Sequence, residues 1–255
     1  MRHNFVNDIG DYAKYALLRA LCDSSPESWR LGVIWYLTEH IEHNGDGRRR
    51  PHLSGDGWEV IDPELLAKMR SIESRLSSPS DLHLDLIEQS DILPTGTVYF
   101  SEPIPSSYGS SMQRIRQREA WFTRAKESVA KCALVFLDPD NGLEVKSVRP
   151  GSRFAGKYVA VNEMTELMEN GSLVILYQHG DRSPWQTQKA KVYNRLVANS
   201  KQQIYMRSLR FGAFGARAFL CVTTNPDVMH VLSAGFETLA GRVVEWDKAY
   251  TLQFE

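Results

Sequence analysis

The sequence lacks the features that define several classes of protein. Its three cysteines (Cys22, Cys132 and Cys221) are odd in number and lie far apart, so they do not form a disulfide framework, and without a CxxC pair they give no sign of a zinc site. No stretch approaches the roughly 18 apolar residues needed to cross a bilayer, and no apolar signal region follows Met1. We therefore expect a cytoplasmic protein without a membrane partner.

An excess of charge of one sign is also missing. The formal net charge is -1, which gives no global reason to expect nucleic-acid binding, although a local basic face can still provide it. The sequence contains neither an internal repeat nor a long low-complexity linker. Its 255 residues, 42% of them hydrophobic, are enough to bury most of the apolar surface in one large domain. We predict a single domain over residues 1–255, and the sequence leaves the oligomeric state open.

Helical and strand patterns alternate along the chain. Residues 31–37 form a short continuous apolar run, which is typical of a buried parallel strand. Further strands are predicted over residues 97–101, 132–138, 173–178, 203–210, 216–223 and 248–254. The pattern predicts an α/β protein with a Rossmann-like, doubly wound, mostly parallel seven-stranded sheet, a C-terminal antiparallel hairpin and a variable helical insertion at about 45–131.

The five residues from Asp138 to Gly142 directly follow a predicted strand. In doubly wound sheets, ligands bind beyond the carboxyl ends of the strands. This segment and Glu144 are rich in oxygen atoms that can hydrogen-bond an amine, hold Mg²⁺ or act as a general base. A plain turn is the alternative, because Asp, Pro, Asn and Gly are common turn formers. We interpret the following as candidate catalytic residues: Asp138, Pro139, Asp140, Asn141 and Glu144.

The opening of the chain offers a second candidate site. Asn7 or Asp8 can cap the helix that begins near Asp11, and the start of a helix presents free N–H groups to an anion. Capping explains these two residues but not Lys14 and Tyr15 on the first turns. We interpret Asn7, Asp8, Lys14 and Tyr15 as candidate cofactor-binding residues, with helix capping alone as the alternative.

Residues 38–50 follow the first predicted strand, where a Rossmann-like fold has its cofactor loop. The loop contains no GxGxxG motif, and its histidines and glutamates match no zinc signature. Its Asn-Gly and Asp-Gly pairs are strong turn formers, so a solvated turn is the alternative. From the position of the loop, we interpret Glu39, Asn44, Gly45 and Asp46 as further candidate cofactor-binding residues.

Two other places offer candidate substrate contacts. His179 follows a predicted strand and belongs to the same edge of the sheet. The basic helix predicted over 110–131 can present Arg114 and Arg118 to phosphates, although a charged run on a helix is more often simply solvated. We treat these three residues as candidate substrate-binding residues and nucleic acid as a candidate partner.

Three segments resemble an uncharacterised bacterial protein family over essentially the full length of the chain. They are residues 7–15, residues 31–37 and the motif Phe136-Leu-Asp-Pro-Asp-Asn-Gly-Leu-Glu144. In layout the chain is also similar to class I S-adenosylmethionine-dependent methyltransferases of the Asp-Pro-Pro-Tyr, adenine-N6 type, which act on DNA or ribosomal RNA. Lys14, the first strand, the insertion, the segment after strand 132–138 and the final hairpin follow the order of that family.

This resemblance implies a Rossmann-like fold, an S-adenosylmethionine cofactor and methylation of an amine on nucleic acid at residues 138–141. Two departures from the family pattern stand out. The glycine-rich cofactor loop is absent after Leu37, and Asn141 replaces the aromatic residue that stacks on the target base. Two alternatives stay open: a metal-dependent nuclease or phosphohydrolase in which Asp138, Asp140 and Glu144 hold Mg²⁺, and a non-catalytic partner or sensor with a degenerate site.

Overall fold

The computed structural model describes residues 1–38, 50–78, 81–105, 108–213, 215–246, 248 and 252–255. Within these residues the strands are β1 (Leu31–Ile34), β2 (Val98–Phe100), β3 (Leu134–Leu137), β4 (Gly142–Leu143), β5 (Tyr158–Val159), β6 (Leu173–His179), β7 (Tyr205–Phe211), β8 (Arg217–Thr223) and β9 (Leu252–Phe254). The helices are α1 (Ile9–Asp23), α2 (Pro51–Ser54), α3 (Pro63–Ser74), α4 (Asp85–Glu88), α5 (Ser111–Ser128), α6 (Val161–Glu169), α7 (Trp185–Asn199) and α8 (Met229–Val243). None of these described helices is both long and apolar enough to cross a bilayer.

Seven strands form one sheet in the order β2-β1-β3-β6-β8-β7-β9. β1 pairs in parallel with β2 and β3, and β3 pairs in parallel with β6. β8 is antiparallel to both β6 and β7, and β9 is antiparallel to β7. Five of the seven strands therefore run in one direction. The predicted α/β fold, with its seven-stranded, mostly parallel sheet and C-terminal antiparallel hairpin, is confirmed.

Helices cover both faces of this sheet. Helices α1, α3 and α8 pack on one face, against Val33, Trp35 and Phe136, whereas α5, α6 and α7 pack on the other, against Val135 and Leu137. Alternate residues of a strand point to opposite faces, and both faces are apolar here. The central strands are therefore continuous apolar runs in the sequence rather than alternating ones.

Helix α1 is buried more deeply than a usual covering helix. Asp8 caps it by accepting a hydrogen bond from Asp11 N at 2.9 Å, and the helix packs against α3, α8 and the sheet. Even its polar residues Asp11 and Lys14 are only 2% and 3% exposed. Charges at this depth need partners of opposite sign, and those of Lys14 include a residue at the end of β3.

The observed elements differ from the predicted ones mainly at their ends. The first strand stops at Ile34 rather than at residue 37, since Tyr36 has a left-handed backbone with φ 46°, which interrupts a strand. The predicted basic helix is α5, which begins with a capping box formed by Ser110 and Gln113. Between β1 and β3, the described residues contribute α2 to α5 and the edge strand β2, so this region is partly built into the main sheet.

Candidate active site

The order of the strands reverses between β1 and β3. From β1 the chain continues to β2 on one side, then crosses to β3 on the other side and proceeds to β6. In open α/β sheets, ligands bind at the carboxyl ends of the strands where the order reverses in this way. Ile34 pairs in register with Leu137, and Asp138 N donates a hydrogen bond to Ile34 O at 3.0 Å. Asp138 therefore lies at the carboxyl end of an interior strand, at the reversal point.

The side chain of Asp138 is joined to the opening helix by a buried ion pair. Lys14 Nζ lies 2.7 Å from Asp138 Oδ2 and 2.6 Å from Asp11 Oδ1. Burial raises the pKa of the Asp138 carboxyl, and the charge of Lys14 opposes that rise. Burial alone would lower the pKa of Lys14, but the carboxylates of Asp11 and Asp138 raise it above its ordinary value. Lys14 is thus a permanent cation that holds two carboxylates in place.

Asp11 is the centre of a hydrogen-bond network around this lysine. Its Oδ2 accepts a hydrogen bond from Asn7 N at 2.9 Å and another from the Tyr15 hydroxyl at 3.3 Å. Lys14 Nζ also lies 5.2 Å from the ring centre of Tyr15 and 5.5 Å from that of Trp35, distances at which an aromatic face attracts a cation. These contacts fix the carboxylates of Asp11 and Asp138 rigidly.

Asp140 lies beside an ammonium group. One of its oxygens is 3.1 Å from the amino nitrogen of Met1, and the other is 3.4 Å from Arg2 Nε. Both oxygens are buried, and neither accepts a hydrogen bond from any described residue. The Met1 amino group donates to Tyr36 O at 3.1 Å and to Asp138 O at 2.9 Å. Two carbonyls and one carboxylate therefore surround a single positively charged nitrogen at the reversal point.

Tyr36 connects this site to the opposite face of the sheet. Its φ of 46° is unusual for a bulky residue, and such conformations are concentrated at functional sites. The carbonyl accepts the hydrogen bond from Met1, while the side-chain hydroxyl donates to Glu163 Oε2 on α6 at 3.0 Å. The strained backbone therefore lets one residue supply an oxygen to the site and anchor itself on the other face.

The turn after Asp138 is held by its neighbours on both sides. Asn141 O accepts hydrogen bonds from His179 N at 3.1 Å and from Gln178 Nε2 at 3.3 Å, and Asn141 N donates to Lys157 O at 3.0 Å. Gly142 has a φ of 113°, and a side-chain carbon there would collide with the amide of Gln178. Only glycine suits this position, and the backbone of the whole turn is consequently rigid.

Glu144 does not join Asp138 and Asp140. One of its oxygens accepts a hydrogen bond from Val161 N at the start of α6 and lies 3.3 Å from Arg195 of α7. Across the described part of the chain, no group of three or more His, Cys, Asp or Glu side chains is arranged to hold a metal ion. The three carboxylates required by the magnesium alternative are therefore not brought together.

The two predicted phosphate-binding arginines are engaged inside the protein. Arg118 Nε lies 2.7 Å from Glu163 Oε1, and the same guanidinium donates to the carbonyls of Ala155 and Tyr158, each at 2.6 Å. Arg114 Nε donates to Gly151 O at 2.7 Å. Both arginines attach the segment before α6 to helix α5, so any contact of theirs with a ligand would compete with these bonds.

The remaining predicted residues occupy three different places. His179 is exposed at the end of β6, with Nδ1 3.2 Å from the Tyr177 hydroxyl. Asn7 donates its side-chain amide to Met69 O at 3.1 Å and to Glu73 at 3.0 Å, both on α3. The predicted cofactor-binding residues Glu39, Asn44, Gly45 and Asp46 lie outside the described residues.

Sequence reasoning missed several residues that contribute to the site, among them Met1, Arg2, Asp11, Tyr36 and Arg217. Asp11 is one helical turn before Lys14, a spacing that brings the two side chains together, so this partner was detectable. The carbonyl of Tyr36 gave no signal, because a left-handed tyrosine has no sequence signature. Arg217 pairs opposite His179 across β6 and β8; burial raises the pKa of Asp8, and the charge of Arg217 opposes that rise.

The arrangement can bind a cationic group and hold it rigidly. The acceptors at the reversal point are oxygens only, and the carboxylates nearby are fixed by a lysine that does not titrate in the neutral range. Preorganised oxygens of this kind suit the recognition of ammonium or amine groups. No protein-family model matches this chain, and no curated protein matches it.

Proposed function

We propose that the protein is an S-adenosylmethionine-dependent N-methyltransferase whose reaction segment is residues 138–141. The observation that carries this proposal is the convergence of the Tyr36 carbonyl, the Asp138 carbonyl and the Asp140 carboxylate around one ammonium group. This cluster lies at the reversal of strand order, which is the usual ligand site of such sheets.

The residues at the site fit the charge of the proposed cofactor. S-adenosylmethionine carries an ammonium group and a positively charged sulfur, and when bound it supplies the methyl group. The amino group of Met1 stands where a ligand's ammonium group would lie. Around it, four carboxylates face three basic side chains: Asp8, Asp11, Asp138 and Asp140 against Arg2, Lys14 and Arg217. The amino group of Met1 balances the one negative charge that these side chains leave over, so a cationic ligand that displaces this amino group meets the same charge complementarity.

The protein's own groups would act by positioning the amine that is methylated. The Pro139 carbonyl and the Asn141 side chain can accept hydrogen bonds from that amine and orient its lone pair, which leaves the Asp140 carboxylate to the ammonium group of the cofactor. Pro139 and the bonded backbone of Asn141 keep these groups in one geometry. Orientation of this kind provides a large part of the rate enhancement in transfer reactions.

Calorimetric titration with S-adenosylmethionine tests the proposal. We expect saturable binding by the native chain, and Asp140→Asn should weaken it by about tenfold or more, because a charged acceptor is lost. Glu144→Gln is the matched control, since Glu144 belongs to the same loop but contacts α6 and α7. No heat at millimolar ligand, or equal weakening by both variants, would contradict the proposed site.

One observation favours a second candidate, a binding protein without catalysis. The Asp138 side chain is 4% exposed and already paired with Lys14, so the carboxylate nearest the strand end has little freedom to contact a substrate. A sensor would bind S-adenosylmethionine with the same dependence on Asp140 but transfer no methyl group. Incubation with cofactor carrying a tritiated methyl group separates the two, because only an enzyme labels an added nucleic acid.

A further inference from the structure

One part of the surface is strongly basic. It consists of residues 108–118 and 145–157, which we call the basic–aromatic surface. These residues include seven Lys or Arg and no Asp or Glu, in a chain whose formal net charge is -1. The basic residues are Arg114, Arg116, Arg118, Lys146, Arg149, Arg153 and Lys157. Such a concentration of one sign attracts polyanions.

The two segments form one continuous surface. Arg114 donates to Gly151 O at 2.7 Å, and Arg118 donates to Ala155 O at 2.6 Å. At Gly151, where φ is 70°, a side-chain carbon would collide with Ser111, so the backbones of the two segments are in close contact. The inner arginines therefore build the surface and leave the outer basic residues to meet a ligand.

Four basic side chains point to solvent without a local partner. They are exposed and form no ion pair with any carboxylate in the described ranges: Arg116, Lys146, Arg149 and Arg153. Further along α5 the pattern changes, since Arg124 lies 2.7 Å from Glu102 and Lys126 lies 2.5 Å from Glu166. The unpaired basic side chains are thus concentrated around the first half of α5, on the helix and on the segment packed against it, where they are available to phosphates.

Large apolar side chains are exposed on the same surface. Tyr108 is 80% exposed, Phe154 65% and Met112 59%. Together with Val145 they make up four of the seven large hydrophobic side chains that are exposed in the described part of the chain. Exposed aromatic rings among cations are the stacking platforms on which proteins hold unpaired bases. The bases of a duplex are stacked on one another and cannot use such rings.

This surface is attached to the reaction segment at both of its ends. Residues 145–157 leave the segment directly after Glu144 and return beside it. Asn141 N donates to Lys157 O at 3.0 Å, and Glu144 N donates to Val159 O at 2.8 Å. A strand bound along the surface is therefore led towards residues 138–141.

A cavity limits where a phosphate backbone can run. It has a volume of about 320 Å³ and lies between α5, α6 and the basic–aromatic surface. Its lining includes Arg118, Arg149 and four glutamates. Three of these glutamates are paired with a cation (Glu144, Glu163 and Glu166), whereas Glu119 forms no ion pair with any described residue. The carboxylate of Glu119 repels phosphates, so we expect a phosphate backbone on the outer side of the surface, where all charged residues are basic.

From these observations we infer that the basic–aromatic surface binds single-stranded nucleic acid and presents an unpaired base to the reaction segment. The inference rests on the proposed function, for which it names the substrate class. Phosphates contact the four unpaired basic side chains, while Tyr108 and Phe154 stack on bases. Surface binding itself requires no cofactor, so the two proposals can fail separately.

Fluorescence anisotropy with labelled 20-nucleotide oligo-dT and oligo-U, and with a 20-base-pair duplex, tests the inference. We expect the single strands to bind more tightly than the duplex. Four phosphate contacts predict that log affinity falls against log salt concentration with a slope of about -3. Arg149→Ala with Arg153→Ala should reduce the slope to about half that value.

Single aromatic variants test the stacking contacts. Phe154→Ala and Tyr108→Ala should each weaken single-strand binding about fivefold or more, the loss of one base–aromatic stack. Tyr193→Ala is the aromatic control and Arg75→Ala the charge control, because Tyr193 lies on α7 and Arg75 directly follows α3, away from the basic–aromatic surface in the sequence. Both controls should bind like the native chain, and thermal melting should show that all variants are folded.

Three outcomes overturn the inference. They are no binding of single strands, equal binding of duplex and single strand by every variant, and binding of anionic lipid vesicles in place of nucleic acid. Titration of the native chain with S-adenosylmethionine, beside the oligonucleotide measurements, separates the two proposals. If cofactor binds normally but oligonucleotide does not bind the native chain, only the surface is refuted; if oligonucleotide binds but cofactor does not, only the proposed reaction is refuted.

Discussion

Replacing Lys14 with methionine removes the cation of the buried cluster while keeping most of the side-chain volume. Lys14 lies within 2.7 Å of both Asp11 and Asp138, and all three side chains are at most 4% exposed. The variant therefore leaves two carboxylates buried without their partner. Breaking a buried pair in this way costs about 3–5 kcal/mol, which corresponds to a fall of about 6–20 °C in melting temperature for a chain of this size.

Urea denaturation followed by circular dichroism measures this cost. Lys68→Met is the matched control, because Lys68 also contacts two carboxylates, Glu64 and Asp91, but these are 63% and 78% exposed. Surface pairs of this kind contribute about 0–1 kcal/mol, so the control should unfold close to the native midpoint.

A double variant identifies the source of the cost. In Lys14→Met the carboxylates of Asp11 and Asp138 are buried without a cation. Adding Asp138→Asn removes one of these two charges, so the double variant should be more stable than Lys14→Met alone. A loss below about 1 kcal/mol for Lys14→Met, no larger than for Lys68→Met, would refute the idea that this cluster depends on its central charge.

Three further predictions concern other parts of the molecule. His52 is fully buried, and burial, followed by the charges of Arg50 and Arg70, lowers its pKa to about 3. In the unfolded chain this histidine takes up a proton below about pH 6.5, whereas in the folded chain it stays neutral until a much lower pH, so acid favours the unfolded state. From pH 7.5 to pH 4.5 the free energy of unfolding of the native chain should therefore fall. The fall should be about 3 kcal/mol larger than in the variant His52→Phe, which has no group to titrate at this position. Gly142→Ala should destabilise the fold by about 1–3 kcal/mol, because φ 113° is strained for alanine and the new carbon collides with Gln178. Arg118→Met should cost about 3 kcal/mol, because Glu163 is left buried without its cation.

Each of these predictions has a control. Gly171→Ala places alanine at φ 87° with no neighbour within 4 Å, so it shows the cost of backbone strain without a collision. Arg116→Met removes an exposed arginine from the same helix as Arg118 and should be nearly neutral. If Gly142→Ala equals Gly171→Ala, or Arg118→Met equals Arg116→Met, the packing described around those residues is wrong. If the free energy of unfolding depends on pH in the same way in His52→Phe and in the native chain, the acid sensitivity of the protein comes from other groups.

The fold was predictable because its central strands are apolar on both faces. The continuous apolar runs at 31–37 and 134–137 identify buried parallel strands, and the spacing of residues 203–223 identifies a hairpin. The sequence contained no information on which hairpin strand lies next to β6, a place that β8 takes rather than β7. That choice depends on packing across the whole sheet and not on any local pattern.

The edge of the sheet that carries the site was also predictable, whereas its electrostatics were not. A carboxylate and a proline directly after a buried strand placed Asp138 at the carboxyl edge. Sequence reasoning treated Lys14 as a ligand group, but the depth of α1 makes it the partner of two carboxylates. Arg118 shows the same limit, because an arginine that looks solvated on a helical pattern is bonded to Glu163 once α6 packs beside it.

A crystal structure of the chain with S-adenosylhomocysteine tests the proposed site most directly. The amino-acid end of the ligand should replace the amino group of Met1, with its nitrogen within hydrogen-bonding distance of the Tyr36 carbonyl and the Asp140 carboxylate. Density for the ligand elsewhere on the sheet, or a ligand-free site at saturating concentration with Met1 unmoved, would contradict it.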